Sequence, residues 1–340
     1  MDAARDGFAG VFAAPAPRTG PAWLQRLASL RLTLVALVLL GAGVVAAYFS
    51  QTSTTWPVAI PLALFAANLG AAVVTHPAFR RQTALLVFHL ALIAVVLLVA
   101  AGRLTYLKGH VELAEGEAFR GKLVKAEQGP LHFGSLERAA FVNEGFSIHY
   151  DPGLRRGATR NRVSYVDAAG GTQRAVIGDN TPLVRAGYRF YTSFNKGFAP
   201  TFLWQPNGGR PEIGAVHLPA YPLHEYRQAQ EWQPPGSAVS LWIMLTFDEV
   251  ILDFGKASEF RLPASHTLVV RAGESRHELR PGDTLRLPEG KLTYQGVRSW
   301  MGYTVFHDFT LPWLVAACIL AVVSLAGHFW AKFSVRPWDR

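Results

Sequence analysis

The sequence is almost without cysteine: its one thiol, Cys318, lies in a long apolar run near the C-terminal end. That excludes a disulfide framework, a CxxC redox motif and a cysteine metal site. A chain with so little thiol is also compatible with an oxidising compartment. Charge is scarce too, 17% of 340 residues against 50% hydrophobic, where soluble globular chains carry about 25% charged residues. Acids are outnumbered by bases, for a formal charge of +9. That excess does not point to nucleic acid. Arg5, Arg18, Arg26, Arg31, Arg80, Arg81, Lys332, Arg336 and Arg340 lie in short segments beside apolar runs. With Asp2, Asp6 and Asp339 these segments hold +6, which leaves only +3 for the rest. No GxxxxGK[ST], HExxH or GxSxG motif is present, so phosphate-loop, zincin and serine-hydrolase chemistry have no sequence support. His132, His149, His217, His224, His266 and His277 show no metal-ligand spacing such as HxxxH.

Against these absences stand four apolar runs, each about 20 residues long as a bilayer-spanning helix requires. They fall at about 32–49, 57–75, 83–102 and, inside a 309–331 segment, 311–330. The fold class this predicts is a membrane protein with three N-terminal transmembrane α-helices, a large mainly-β domain at 104–308 and one C-terminal helix. Residues 1–31 and 332–340 are then tails, the first 22 residues a loose one rich in Ala, Pro and Gly. In the second run, Ala66 with Gly70 and Ala67 with Ala71 are small pairs of the kind that let helices pack closely in lipid. Both tails and the 76–82 connection carry arginine or lysine, whereas Ser50–Trp56 carries none. Basic loops stay in the cytoplasm. The pattern therefore predicts a plasma (inner) membrane protein with both termini cytoplasmic and 104–308 facing the periplasm or cell exterior. Within that domain, alternating or β-branched runs at 146–150, 162–166, 173–177, 188–194, 240–247, 267–271 and 303–306 predict short strands in a sandwich or barrel-like fold. Asp167–Gly171 predicts a hairpin, 280–283 and 288–290 predict turns, and the Pro-rich stretch 206–235 predicts a long surface excursion.

The third run contains one ionisable group, His89, and a histidine in hydrocarbon is rare enough to mark a functional site. It lies roughly 9 Å below the inner boundary at about 1.5 Å per residue. Asn68 on the antiparallel second run falls at the same level, roughly 10 Å deep. A ligating histidine donates its second ring proton to an oxygen, and the Asn68 side chain is the expected acceptor. The competing reading is an interhelical hydrogen bond with no cofactor. His328, near the inner end of the last run, is a second candidate ligand or an interfacial residue. His110 and His307 flank the β domain and could bracket a porphyrin iron or be ordinary solvated loop residues. Asp248, Glu249 and Asp253 are either paired carboxylates or a turn of solvated acids. Trp23, Trp56, Trp313 and Trp330 fall near span ends, where indoles favour the interface.

Three stretches carry a family resemblance. Phe79-Arg-Arg-Gln-Thr-Ala-Leu-Leu-Val-Phe-His89-Leu, Gly145-Phe-Ser-Ile-His-Tyr-Asp-Pro152, and Asp179-Asn-Thr-Pro-Leu-Val-Arg-Ala-Gly-Tyr-Arg-Phe-Tyr-Thr-Ser193 resemble the ResB/Ccs-type cytochrome c biogenesis proteins of system II. The layout of 25–335 is similar as well. Tyr191-Thr-Ser193 stands where that family often has Tyr-Gln-Ser, and His307-Asp308-Phe309 where it often has Lys-Asp-Pro, which suggests a short, divergent member. The resemblance implies a non-catalytic or half-site subunit of a haem-exporting cytochrome c synthase. It implies haem as a transient cofactor, with His89 as its axial ligand and metal contact only through haem iron. It also implies two partners, a CcsA/ResC-type multi-span subunit bearing the Trp-rich haem-handling motif and apocytochrome c. A different class of function, a membrane-anchored scaffold whose β domain binds an apoprotein without handling haem, stays open. A sensor is disfavoured by the short 332–340 tail.

Overall fold

The computed structural model describes residues 20–50 and 52–334; most of the expected loose tail, and the basic end 335–340, lie outside them. Among the described residues, four helices are long and apolar enough to cross a membrane. With α1 (Ala22–Leu27) and α4 (Ala78–Arg81) as short flanking turns, they are α2 (Leu30–Ser50), α3 (Thr55–Thr75), α5 (Thr83–Thr105) and α6 (Leu311–Ser334). The protein is a membrane protein with a mostly β segment between α5 and α6.

The chain divides into two compact units. The helical unit comprises the described residues up to Tyr106, a short return at Gln128–His132, and the described residues from Asp308 on. Within it α2 packs on α3, α3 on α5 and α5 on α6. The residues these helices bury are small: Ala59, Ala66 and Ala71 on α3, Ala91, Ala100 and Gly102 on α5, and Ala317, Ala321 and Ser324 on α6. Lipid tails are as apolar as leucine, so close backbone approach rather than hydrophobic burial holds such helices together. Ala67 is exposed and a Cβ on Gly70 would meet nothing within 4 Å, so each of the two expected small pairs buries one member, Ala66 or Ala71. A Cβ on Gly102 would sit 2.9 Å from the Thr310 hydroxyl, so this position needs glycine.

The β unit, Leu107–Glu127 and Phe133–His307, is built on two long antiparallel strands, Tyr188–Pro206 and Gly290–His307. The second of these also pairs with Leu107–Ala114, Leu107 lying opposite His307. The unit's first and last residues are therefore neighbours in one sheet, as an insertion with adjacent ends requires. Smaller antiparallel sheets are centred on Phe141–Ser147 with Arg160–Val166 and on Leu241–Thr246 with Thr267–Ala272. The expected hairpin forms, with Asp167 Oδ1 accepting from the Ala169 and Gly171 amides. The stretch 206–235 is not the surface excursion its prolines suggested. Glu212–Ala215 pairs on the edge of the long strand, Leu218 and Tyr221 are buried in the core, and Trp232 stacks on Phe202 at 5.4 Å. Proline withholds one amide from a ladder but does not stop neighbouring apolar side chains from being buried.

Two polar joints hold the β unit together. Asn143 Oδ1 accepts from Asn161 Nδ2 at 2.7 Å, Asn161 Oδ1 accepts from the Tyr303 hydroxyl at 2.8 Å, and Asn143 Nδ2 donates to the Leu113 carbonyl. All three side chains are fully buried and mutually satisfied, the arrangement in which a buried network specifies a fold. Asp179 takes Arg156 at 2.6 Å and the Thr192 hydroxyl at 2.9 Å.

Candidate functional site

His89 lies on the second turn of α5, half-buried. Its Nδ1 is 2.8 Å from the Leu85 carbonyl one turn back. A carbonyl can only accept, so Nδ1 carries the proton and Nε2 keeps its lone pair. The ring meets Phe79 edge-on at 4.6 Å and Phe88 at 5.2 Å. It opens on a cleft of about 290 Å³ formed by Ala72, Thr75 and His76 at the end of α3, Ala78 and Phe79 of α4, and Leu85 of α5. Apart from the two imidazoles, the cleft's one side-chain polar group is the Thr75 hydroxyl, which donates to the Ala71 carbonyl. The cleft is thus an apolar slot with a basic nitrogen in its wall.

The acceptor expected for His89 is corrected. Asn68 is buried, but its oxygen accepts from the Thr33 hydroxyl at 2.6 Å and its amide donates to the Leu27 and Ser29 carbonyls at 2.6 and 3.0 Å. The cause is the break between α1 and α2: the Ser29 carbonyl still accepts the Leu32 and Thr33 amides, but the Leu27 carbonyl lies at the end of α1, beyond its helical partners. Apolar surroundings supply no water to take their place. Asn68 closes that break, and the helix backbone itself orients His89.

His76 is the residue that reading the sequence missed. It caps α3, and its Nδ1 accepts the Ala78 amide at 3.3 Å. Its ring lies 5.9 Å from Phe79. A histidine immediately before a proline at a span end reads as a loop residue; only the fold of the 76–82 turn puts it in the cleft with His89. His328 is half-buried on α6 beside Phe329 and is not among the residues lining the cleft.

His110 and His307 are not brought together. They sit on adjacent paired strands, but His307 lies opposite Leu107 and His110 opposite Thr304, three residues away. Successive side chains alternate faces, so the two rings project from opposite faces of one sheet. His307 is buried against Tyr188 at 4.8 Å and Phe133 at 5.4 Å. His110 instead shares a carboxylate: its Nε2 lies 3.2 Å from Glu112 Oε1, and His217 Nδ1 lies 3.2 Å from Oε2. The bonds from His110 and then His217 hold the Glu112 carboxyl down to about 2, against the opposing effect of burial. His217 stacks on Trp300 at 5.2 Å. Opposite Glu112 stands Gly302, where a Cβ would press within 3.1 Å of the His110 ring. The acids at 248–253 form no catalytic pair: Glu249 is held by Arg261 and the Ala264 amide, and Asp253 accepts from the Gly255 amide.

Comparison with known proteins adds the following. No curated protein matches the chain. Three chains of solved structures match; one is titled "Cytochrome c Heme Lyase CcmF", with 15% identity and a TM-score of 0.26 over 89% of this chain and 35% of that one. The present chain thus spans about a third of that protein's length. A family model described as "ResB-like family" matches residues 71–241, half of the chain, including the whole cleft from Ala72 to His89 and the Asn143, Asn161 and Asp179 joints. The chain belongs to the ResB-like family.

Proposed function

We propose that this protein serves cytochrome c biogenesis as a membrane subunit that receives haem at His89 and works with a multi-span partner of the CcsA/ResC type to deliver it to apocytochrome c. Membership of the ResB-like family supports the role in cytochrome c biogenesis. The observation that carries the haem reading is the His89 ring itself: Nδ1 held by the Leu85 carbonyl, Nε2 left as a lone pair, in an apolar cleft beside Phe79. A histidine that ligates iron needs its other nitrogen bound to an oxygen acceptor, and a porphyrin needs apolar walls, so the donor set fits haem. Bound there, haem would supply the iron porphyrin that biogenesis transfers. The chain's part is to ligate, orient and shield it.

The size of the cleft argues for the partner. At about 290 Å³ it lies just below the range for small-molecule sites, about 300–1,000 Å³, so it covers part of a macrocycle and leaves the rest to a second surface. The charge of the short loops supports cytoplasmic termini and a β domain on the opposite side. His89 would then stand near the leaflet where haem is made. Purifying the protein with its partner and recording the haem spectrum with and without His89→Ala tests the reading. Loss of the histidine-ligated signature is expected. An unchanged spectrum would favour the scaffold, in which His89 only packs helices.

A further inference from the structure

The cleft contains two imidazoles, and the backbone assigns them opposite roles. His89 Nδ1 faces a carbonyl, so Nε2 is a Lewis base. His76 Nδ1 accepts the Ala78 amide, so in the neutral ring the proton sits on Nε2, which becomes a hydrogen-bond donor and cannot ligate a metal. Phe79 contacts both rings, 5.9 Å from His76 and 4.6 Å from His89. One wall of the slot therefore offers an electron pair, the other offers an N–H, and an aromatic ring lies between.

A molecule that uses both at once carries a metal in an apolar plane and a carboxylate at its edge. We infer that His76 is a positioning residue that donates through Nε2 to a propionate carboxylate of the porphyrin ligated by His89, an inference that rests on the haem reading of His89. The position suits a charged group. His76 ends α3 at the edge of the apolar span, and Arg80 and Arg81 follow within five residues on α4, so a carboxylate there keeps to the polar boundary while the macrocycle enters the apolar slot. This sets the direction of entry, with the propionate edge toward the 76–82 turn.

The test uses the full chain with its partner, titrated with haem and with haem dimethyl ester, whose carboxylates are blocked. Wild type should bind haem at least about tenfold more tightly than the ester, the worth of a charge-assisted hydrogen bond. His76→Ala should lose that preference, leave ester affinity unchanged and keep the ligand-field spectrum of wild type. His76→Gln, which retains an N–H donor, should restore part of it. Equal binding of haem and ester by wild type overturns the inference without any variant. A changed spin state in His76→Ala also overturns it, by making His76 an iron ligand. Failure of the underlying reading looks different: His89→Ala would then leave the spectrum intact, whatever the ester shows.

Discussion

Replacing Glu112 by glutamine removes the negative charge shared by His110 and His217 while keeping the side chain's size. In the folded protein this carboxyl ionises at about 2, against 4.5 for the free group. That gap corresponds to about 3 kcal/mol. The side chain is 24% exposed, so solvent screening brings the contribution to about 2 kcal/mol. Because the folded value is the lower one, the stabilisation is fully present above pH 4.5 and is lost as the pH falls from 4.5 to 2. Thermal unfolding of the full chain in detergent, followed by the β-sheet circular dichroism signal, should put Glu112→Gln about 4–8 °C below wild type at pH 7. The two curves should converge as the pH approaches 2. A constant difference across that range, or none at pH 7, would refute the assignment of the charge to this histidine pair.

Other expectations follow from buried groups. Asn161→Leu strands the Tyr303 hydroxyl and the Gly145 carbonyl and leaves the Asn143 oxygen with the Gly145 amide as donor, at about 1–3 kcal/mol for each unsatisfied group; a loss of about 2–5 kcal/mol in denaturant unfolding is expected, and a loss under 1 would show that the network does not stabilise the fold. Lys196 is 3% exposed, and burial, then the charge of Arg156, lowers its ammonium to about 8 despite the attraction of Asp179. Since the unfolded value is 10.5, wild-type stability should rise with pH between 8 and 10.5, and Lys196→Met should be the more stable protein at pH 7 by roughly 2 kcal/mol. A variant less stable at pH 7 would contradict this. Asn68→Leu takes the Asn68 donor from the Leu27 carbonyl and one of several donors from the Ser29 carbonyl and should cost about 1–2 kcal/mol while leaving the haem spectrum untouched. A shifted spectrum would return Asn68 to the haem site.

The four spans were legible because a run of about 20 apolar residues is a local property, and the Asp167 hairpin because its turn chemistry is local as well. What could not be read depended on pairing. Tyr188–Phe194 and Tyr303–Phe306 each look like a short strand, yet they belong to strands of 19 and 18 residues whose ladder shifts register between Thr192 and Lys196. Once Leu107 is known to face His307, the separation of His110 from His307 follows from strand periodicity alone. The sequence contains the parity of each position but not its partner. For Asn68 the sequence suggests the wrong neighbour, since the break at Ala28–Ser29 that claims it reads as an ordinary stretch before an apolar helix.

The same reasoning explains why His89 was found and His76 was not. An ionisable group inside a hydrophobic run stands out against its background, whereas a histidine beside a proline at a span boundary has nothing unusual about it. What makes His76 informative is the atom opposite its Nδ1. An imidazole presents a lone pair or a proton on its far nitrogen according to whether the near one meets an N–H or a C=O, and in this cleft the Ala78 amide and the Leu85 carbonyl make that choice in opposite senses. A pair of interchangeable ligands would need no such asymmetry. A slot that takes a metal complex in one orientation, as proposed here for haem, would require it, because orientation is what two unlike contacts on one rigid ligand impose and two like contacts do not.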